Sequence, residues 1–240
     1  MSSNLAGDVA IGKYDLCYLR AGRLDASCYP VYGTNGGVIT PAITSLTASA
    51  EIEAGATNDF KNGCGTIMLT VKKADKIKRR NLSGVLTLWD YELFEVMFGG
   101  TLIYGKNTYA GKVVGWAEPG ASSADRNPIA LEVITQAGGE GEGSCVAAGG
   151  ALPYQGHIFP KAQLTVADVA FQEGVITVNF SGSSENNPNY GSGPWRDWDD
   201  NATTLFPSDS AMVNIGYETT TDFLNGLTAR SGYQTTPAAS

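Results

Sequence analysis

The sequence predicts a mainly β protein, a sandwich or barrel of antiparallel strands flanked by one short α-helix at about residues 90–98. Three observations carry this expectation. Apolar and polar residues alternate with period two in segment after segment, Gly- and Pro-bearing stretches separate those segments, and one stretch abandons alternation for a helix-like apolar run.

Leu46, Ala48, Ala50 and Ile52 alternate with Thr47, Ser49, Glu51 and Glu53, which predicts a strand with one dry and one wet face. Ile67, Leu69 and Val71 repeat the pattern against Thr66, Met68 and Thr70. So do Ile129, Leu131 and Val133, and then Ile176, Val178 and Phe180. Further strands are expected at 82–89, 113–117, 164–171 and 212–217. The exception begins at Asp90, a helix N-cap residue, and runs Tyr91-Glu92-Leu93-Phe94-Glu95-Val96-Met97-Phe98 to a terminating Gly99. Apolar on nearly all sides, such a helix should be covered on nearly all sides. Residues 138–144, 181–194 and 231–240 read as irregular. The whole predicts one domain over 1–230, with an extended N-terminal arm and long loops, and a polar tail over 231–240.

Hydrophobic residues make up 42% of the 240-residue chain, enough for an ordinary core, while charged residues are 17%, well under the usual quarter. A surface poor in charge suits a protein partly covered by neighbouring copies. Net charge is −8, which argues against a protein that grips nucleic acid through clustered Lys and Arg. The charge is unevenly placed. Lys72, Lys73, Lys76, Lys78, Arg79 and Arg80 face one acid, Asp75, within residues 72–80, a net +5 that leaves −13 for the rest. Neither a signal-peptide pattern nor an apolar run of membrane-spanning length is read, so a protein kept in a cytoplasm with reduced thiols is expected for Cys17, Cys28, Cys64 and Cys145.

Residues with catalytic potential are few. His157 is the one histidine, and no G-x-S-x-G elbow accompanies it. The acids of Trp195-Arg196-Asp197-Trp198-Asp199-Asp200-Asn201, beside tryptophans, resemble sites where sugars are bound or cleaved. As a calcium loop starting at Asp197 the stretch fails, with Ala202 where glycine is needed and Ser208 where glutamate is needed. Gly139, Gly141 and Gly143 alternate with Glu140 and Glu142, which would repel a phosphate. The Asn81 and Asn201 glycosylation patterns carry little weight without a secretory signal. The expectation is therefore a protein without catalytic residues, cofactor or metal. The alternatives are a carbohydrate-binding or adhesin-like sandwich, and a glycosidase using Asp197 or Asp199.

The ordered set Tyr18-Leu19-Arg20-Ala21-Gly22-Arg23-Leu24-Asp25, Gly36-Gly37-Val38-Ile39-Thr40, Leu86-Thr87-Leu88-Trp89 leading into the helix, and Phe180-Ser181-Gly182 followed by Asn187-Pro188-Asn189-Tyr190-Gly191-Ser192-Gly193-Pro194 resembles the major tail tube proteins of long-tailed (siphovirus-type) bacteriophages, especially those of actinobacterial hosts. The resemblance implies a non-enzymatic virion protein, a β-sandwich assembled as hexameric rings that stack into a hollow tube for genome ejection. It implies as partners further copies of the chain and the tape-measure, tail terminator and tail-tip proteins, with phage DNA passing unbound and no membrane anchor. Its place is the phage tail, assembled in the host cytoplasm.

Two expectations follow for the assembled state. Acids outside the basic run would line the channel and repel DNA. The run itself, Lys72, Lys73, Lys76, Lys78, Arg79 and Arg80, would form a loop that meets acids of the next ring, such as Glu140 and Glu142 or residues 197–200, giving the stack its direction.

Overall fold

The computed structural model describes residues 14–120, 128–137, 154–191, 193, 207–217 and 234–236. In chain order the elements are β1 (Tyr14–Arg23), β2 (Gly33–Thr40), β3 (Ile43–Glu53), β4 (Thr57–Lys61), β5 (Ile67–Lys72), β6 (Lys76–Leu86), α1 (Tyr91–Phe98), β7 (Thr101–Tyr104), β8 (Val113–Ala117), β9 (Ile129–Ala137), β10 (Tyr154–Gln172), β11 (Val175–Glu185), β12 (Val213–Tyr217) and β13 (Gln234–Thr236). The mainly β, antiparallel expectation with one short helix holds.

The principal sheet runs β13-β2-β1-β9-β10-β11-β6-β3, with β12 also paired to β10. β10, at 19 residues, belongs to two layers. Its first part pairs with β9 and β12, its second with β11, and the register with β9 breaks between Phe159 and Ala162. Pro160 sits in that break, where a residue without an N–H removes no ladder bond. The bend folds the sheet into a sandwich, with β13-β2-β1-β9-β10-β12 as one layer and β10-β11-β6-β3 as the other. Leu19 and Leu131 of the first layer share a core with Leu82, Leu86 and Phe180 of the second. No barrel closes. Among the described residues, the outer edge of β3 and the β9-side edge of β10 beyond Ala162 pair with no strand.

Helix α1 packs its apolar residues into the shared core, against β1, β2, β8 and β10. The Asp90 carboxylate accepts the backbone N–H groups of Glu92 and Leu93, and Gly99 ends the helix at φ 74. Leu93, Phe94, Val96, Met97 and Phe98 are all buried. Trp89 and Trp116 flank the Phe94 ring edge-on, with centroids 4.8 and 5.4 Å away, and the Trp116 indole N–H donates to the Gly99 carbonyl. Burial pushes the Glu92 carboxyl up, reinforced by the neighbouring Asp90 and Glu95.

One buried ion pair joins β1 to β9. Arg20 and Glu132 stand directly opposite in the ladder, both about 2% exposed, with Nε donating to Oε2 at 2.6 Å. The Tyr190 hydroxyl is buried close to both, and burial, reinforced by Glu132, pushes its pKa well up.

Several expectations are corrected. Residues 181–194 are not wholly irregular, because β11 continues to Glu185 where Ser181, Ser183 and Ser184 pair with β6 and β10. The tail 231–240 contains β13, paired with β2. Cys17 is disulfide-bonded, not reduced, while Cys28 and Cys64 are free. Residues 138–144 lie outside the described residues.

Candidate functional site

The far halves of β3 and β6, with the β4–β5 hairpin between them, form an arm over residues 50–80. In the ladder Ala48 pairs with Leu82, Ala50 with Arg80 and Ile52 with Ile77. Leu82 is buried in the core, whereas Ile52 and Ile77 are exposed, so the apolar face of the sheet runs past the end of the core. The hairpin continues it. Phe60 pairs with Leu69, and Val71 shares that face by period two, whereas the register shift at Met68 pairs Ile67 with Lys61 on the other face, where Asp59 and Thr70 hydrogen-bond at 2.6 Å. The six apolar side chains Ile52, Phe60, Ile67, Leu69, Val71 and Ile77 are each 45–63% exposed. The alternation at 67–71 thus marks a strand, as expected, but its apolar face is not buried within this chain.

The arm is tied at its waist. The Asp75 carboxylate accepts the Gly55 N–H at 2.9 Å, and the Lys73 N–H donates to the Ala56 carbonyl at 3.0 Å. Gly55 is required there, since a Cβ would sit 1.8 Å from the Lys73 carbonyl oxygen. The Gly55 hydrogen bond, helped by Lys72, holds the Asp75 carboxyl below its ordinary range.

The basic run is not the loop the sequence suggests. Lys72 ends β5, while Lys76, Lys78, Arg79 and Arg80 lie in β6, which begins at Lys76 and not near Leu82. The register with β3 skips Lys78, placing Glu51 opposite Arg79 and Ile52 opposite Ile77. At such a bulge two consecutive side chains meet one partner. Accordingly Glu51 takes both Arg79, at 2.6 Å, and Lys78, at 3.7 Å. Lys72 pairs with Asp75 at 3.2 Å. Lys73, Lys76 and Arg80 make no ion pair among the described residues. The partner acids expected on a neighbouring ring, Glu140, Glu142 and residues 197–200, lie outside the described residues, as do Asp197, Asp199, Gly139, Gly141, Gly143 and Asn201.

The second notable surface is the outer face of the four-stranded layer. Pairing lines up Thr47–Ser83–Ser181–Thr165 and, one pleat on, Ser49–Asn81–Ser183–Gln163, while the intervening row Ala48–Leu82–Gly182–Leu164 faces the core. Gly182 and Gly84 are needed on the core side: a Cβ at 182 would meet the Gln163 carbonyl oxygen at 1.9 Å, and one at 84 the Phe180 ring at 2.4 Å. The outer rows hold hydroxyls and amides and no charge. At one end of this face Arg79 and Lys78 share Glu51 and Lys161 pairs with Glu185 at 3.4 Å, and at the other end Asp168 stands opposite Asn179. Sequence reasoning missed this face because the β11 serines read as loop.

His157 lies within β10, where Nδ1 is 2.8 Å from Asn214 Oδ1 and Nε2 is 3.1 Å from Thr135 Oγ1. It links β9 and β12 across β10 through the Thr135 hydroxyl and the Asn214 amide. A cleft of about 600 Å³ opens beside α1, lined in part by Arg23, Asp25, Glu95, Thr101 and Glu118. Its floor carries the two-pronged Arg23–Glu95 ion pair, which ties β1 to α1. No group of three or more His, Cys, Asp and Glu is placed to hold a metal ion among the described residues.

A search against protein-family models matched none to this chain, and a search of curated proteins found no match.

Proposed function

We propose that this chain is the subunit of a self-assembled tube, the tail tube of a long-tailed bacteriophage, a structural role without catalysis. The observation that carries the reading is the arm: an amphipathic two-stranded extension whose apolar face leaves the core uncovered. A two-stranded ribbon is marginal in water on its own, and five large apolar side chains on one face need a partner surface. A second copy fits by charge, since residues 50–80 carry seven cations and four acids, a net +3, and the remainder of the chain carries −11.

The open edges of the four-stranded layer support the same reading. β3 lacks the lysines and prolines that guard natural edge strands, and the far half of β10 is open on the opposite side. Two unlike edges on one sheet permit a head-to-tail contact, the type that closes a ring, and the arm supplies a separate contact for stacking. The resemblance of the landmark residues to tail tube proteins names the kind of tube. DNA would pass through the bore, and the tape-measure, terminator and tail-tip proteins would set its length and ends.

Sedimentation of the purified chain over a range of concentrations, with electron microscopy of the same samples, tests this. Rings or tubes of constant diameter are expected. A monomer at every concentration and salt, unchanged by added tail-tip complexes, would overturn it.

A further inference from the structure

The turn that closes the β4–β5 hairpin reads Asn62-Gly63-Cys64-Gly65, and hydrogen bonds of Asn62 hold it shut. The Asn62 main-chain N–H donates to the Thr66 carbonyl, and its main-chain carbonyl accepts the Gly65 N–H, each at 2.9 Å. Its side-chain Oδ1 accepts the N–H of Cys64 at 3.0 Å and that of Thr66 at 2.9 Å. Such an Asx turn folds the side chain forward over the peptide unit that follows. The nitrogen of that peptide unit is free, since the Gly63 N–H makes no hydrogen bond among the described residues. Asn62 and Gly63 are both exposed, and a Cβ at Gly63 would meet nothing within 4 Å.

We infer that Asn62–Gly63 is a site of self-modification, at which the Gly63 backbone nitrogen displaces the Asn62 side-chain amide. Hydroxide takes the Gly63 N–H proton, the nitrogen attacks Asn62 Cγ, and the new N–Cγ bond closes a cyclic imide as the Cγ–Nδ2 bond breaks. Nδ2 leaves as ammonia, its third proton supplied by water. A water molecule then opens the imide at either carbonyl, leaving aspartate or isoaspartate at position 62. The turn favours each step. Two N–H donors on Oδ1 draw electron density from Cγ, and Nδ2 is held only by the Met68 sulfur, at 3.9 Å. Glycine at 63 leaves its nitrogen unshielded and its main chain free to rotate, and a two-stranded ribbon opens readily at its turn.

A second dipeptide provides the comparison. Asn35–Gly36 has the same chemistry but lies inside β2, between β1 and β13, with the Asn35 carbonyl accepting Arg23 Nε at 3.0 Å. Reaction there must wait for the sheet to open. Conversion at Asn62 puts a new carboxylate into the cationic arm. Isoaspartate also lengthens the main chain, which draws the Asn62 carbonyl off the Gly65 N–H. Because ammonia is lost, the change does not reverse, and the tip of the arm loosens with the age of the chain.

Peptide mass mapping of the whole chain, held over time at mildly alkaline pH, follows the two sites separately. In denaturant Asn62 and Asn35 should convert at similar rates. In the folded chain Asn62 should convert roughly tenfold faster or more, since only Asn35 awaits the opening of a sheet. Gly63→Ala, which the open space accepts without a clash, should keep the melting temperature and slow conversion at 62 by a similar factor. Amide hydrogen exchange at β4 and β5 should rise in converted chains. An Asn62 that converts no faster than Asn35 in the folded chain, or as fast after Gly63→Ala as before, would overturn the assignment. Converted chains with unchanged exchange at β4 and β5 would overturn the loosening of the arm. All three readouts are independent of tube assembly.

Discussion

Glu51 and Arg79 face each other across the β3–β6 ladder, Oε2 to Nε at 2.6 Å, with Lys78 drawn to the same carboxylate by the bulge. The hydrogen bond from Arg79, with the charges of Arg79 and Lys78, holds the Glu51 carboxyl below its ordinary 4.5. Asp75, at the waist of the arm, is likewise held below 3.8, first by the Gly55 N–H. A carboxyl whose folded pKa is depressed stabilises the fold above its unfolded value, and that contribution is lost as pH falls through the folded pKa. The arm should therefore stay protected at pH 5 and loosen below about pH 4. Amide hydrogen exchange read at β4, β5 and Gly55 checks it. Glu51→Gln should raise exchange along the far half of β3 at pH 7 and flatten its acid dependence there.

Covering the apolar face of the arm should separate assembly from folding. Leu69→Asp/Phe60→Ser removes two facing side chains that touch no core residue. The expected result is a chain with melting temperature within about 2 °C of the original, since exposed substitutions scarcely alter stability, that no longer forms tubes. Differential scanning calorimetry and sedimentation together read both halves. A large loss of melting temperature would mean that the arm packs on its own chain.

The cations of residues 72–80 should divide into two groups. Lys72, Lys78 and Arg79 already face acids of their own chain, whereas Lys73, Lys76 and Arg80 have no ion pair among the described residues. Reversing Lys73, Lys76 and Arg80 to Glu should shorten or abolish tubes at low salt, with the effect of the charges fading as salt screens them. Neutralising Lys78 alone should leave tube length unchanged. Length distributions by electron microscopy at two salt concentrations decide the matter.

Much of the architecture is legible in local pattern because alternation and capping are local properties. Asp90 and Gly99 bracket α1 as read, and the strands around Leu46, Ile67, Ile129 and Ile176 form where the period-two pattern lies. What alternation does not reveal is whether an apolar face finds a partner. Ile67, Leu69 and Val71 follow the same pattern as Ile129, Leu131 and Val133, yet the first set lies in water and the second in the core. The basic run read as a loop because clustered charge usually is one. Glu51, two residues before the end of β3, supplies the cross-strand acid that lets it be a strand, and that pairing is long-range. The serines of β11 misled in the opposite sense, since a strand with one polar neutral face and a Gly-bearing core face looks like a linker.

The buried pair Arg20–Glu132 should be the most sensitive ionic contact in the sandwich. Both side chains are about 2% exposed, and both belong to strands at the centre of the first layer. Removing one partner strands a buried charge, which costs about 3–5 kcal/mol, whereas replacing both with apolar residues of similar volume is often close to neutral. For a domain of this size each kcal/mol corresponds to roughly 2–4 °C. Glu132→Leu should therefore lower the melting temperature by roughly 6–20 °C, and Arg20→Met should do the same. The double substitution should recover most of the loss, because the register of β1 on β9 is also held by the alternation of Leu19, Ala21, Leu131 and Val133 into the core. Tyr190 adds a second constraint, its buried hydroxyl being close enough to Glu132 for that charge to raise its pKa. Tyr190→Phe measured alone and in the double-substituted background tells whether the hydroxyl depends on the pair. A cycle in which the double substitution is as damaging as the sum of the single ones would show that the pair does not act as a unit.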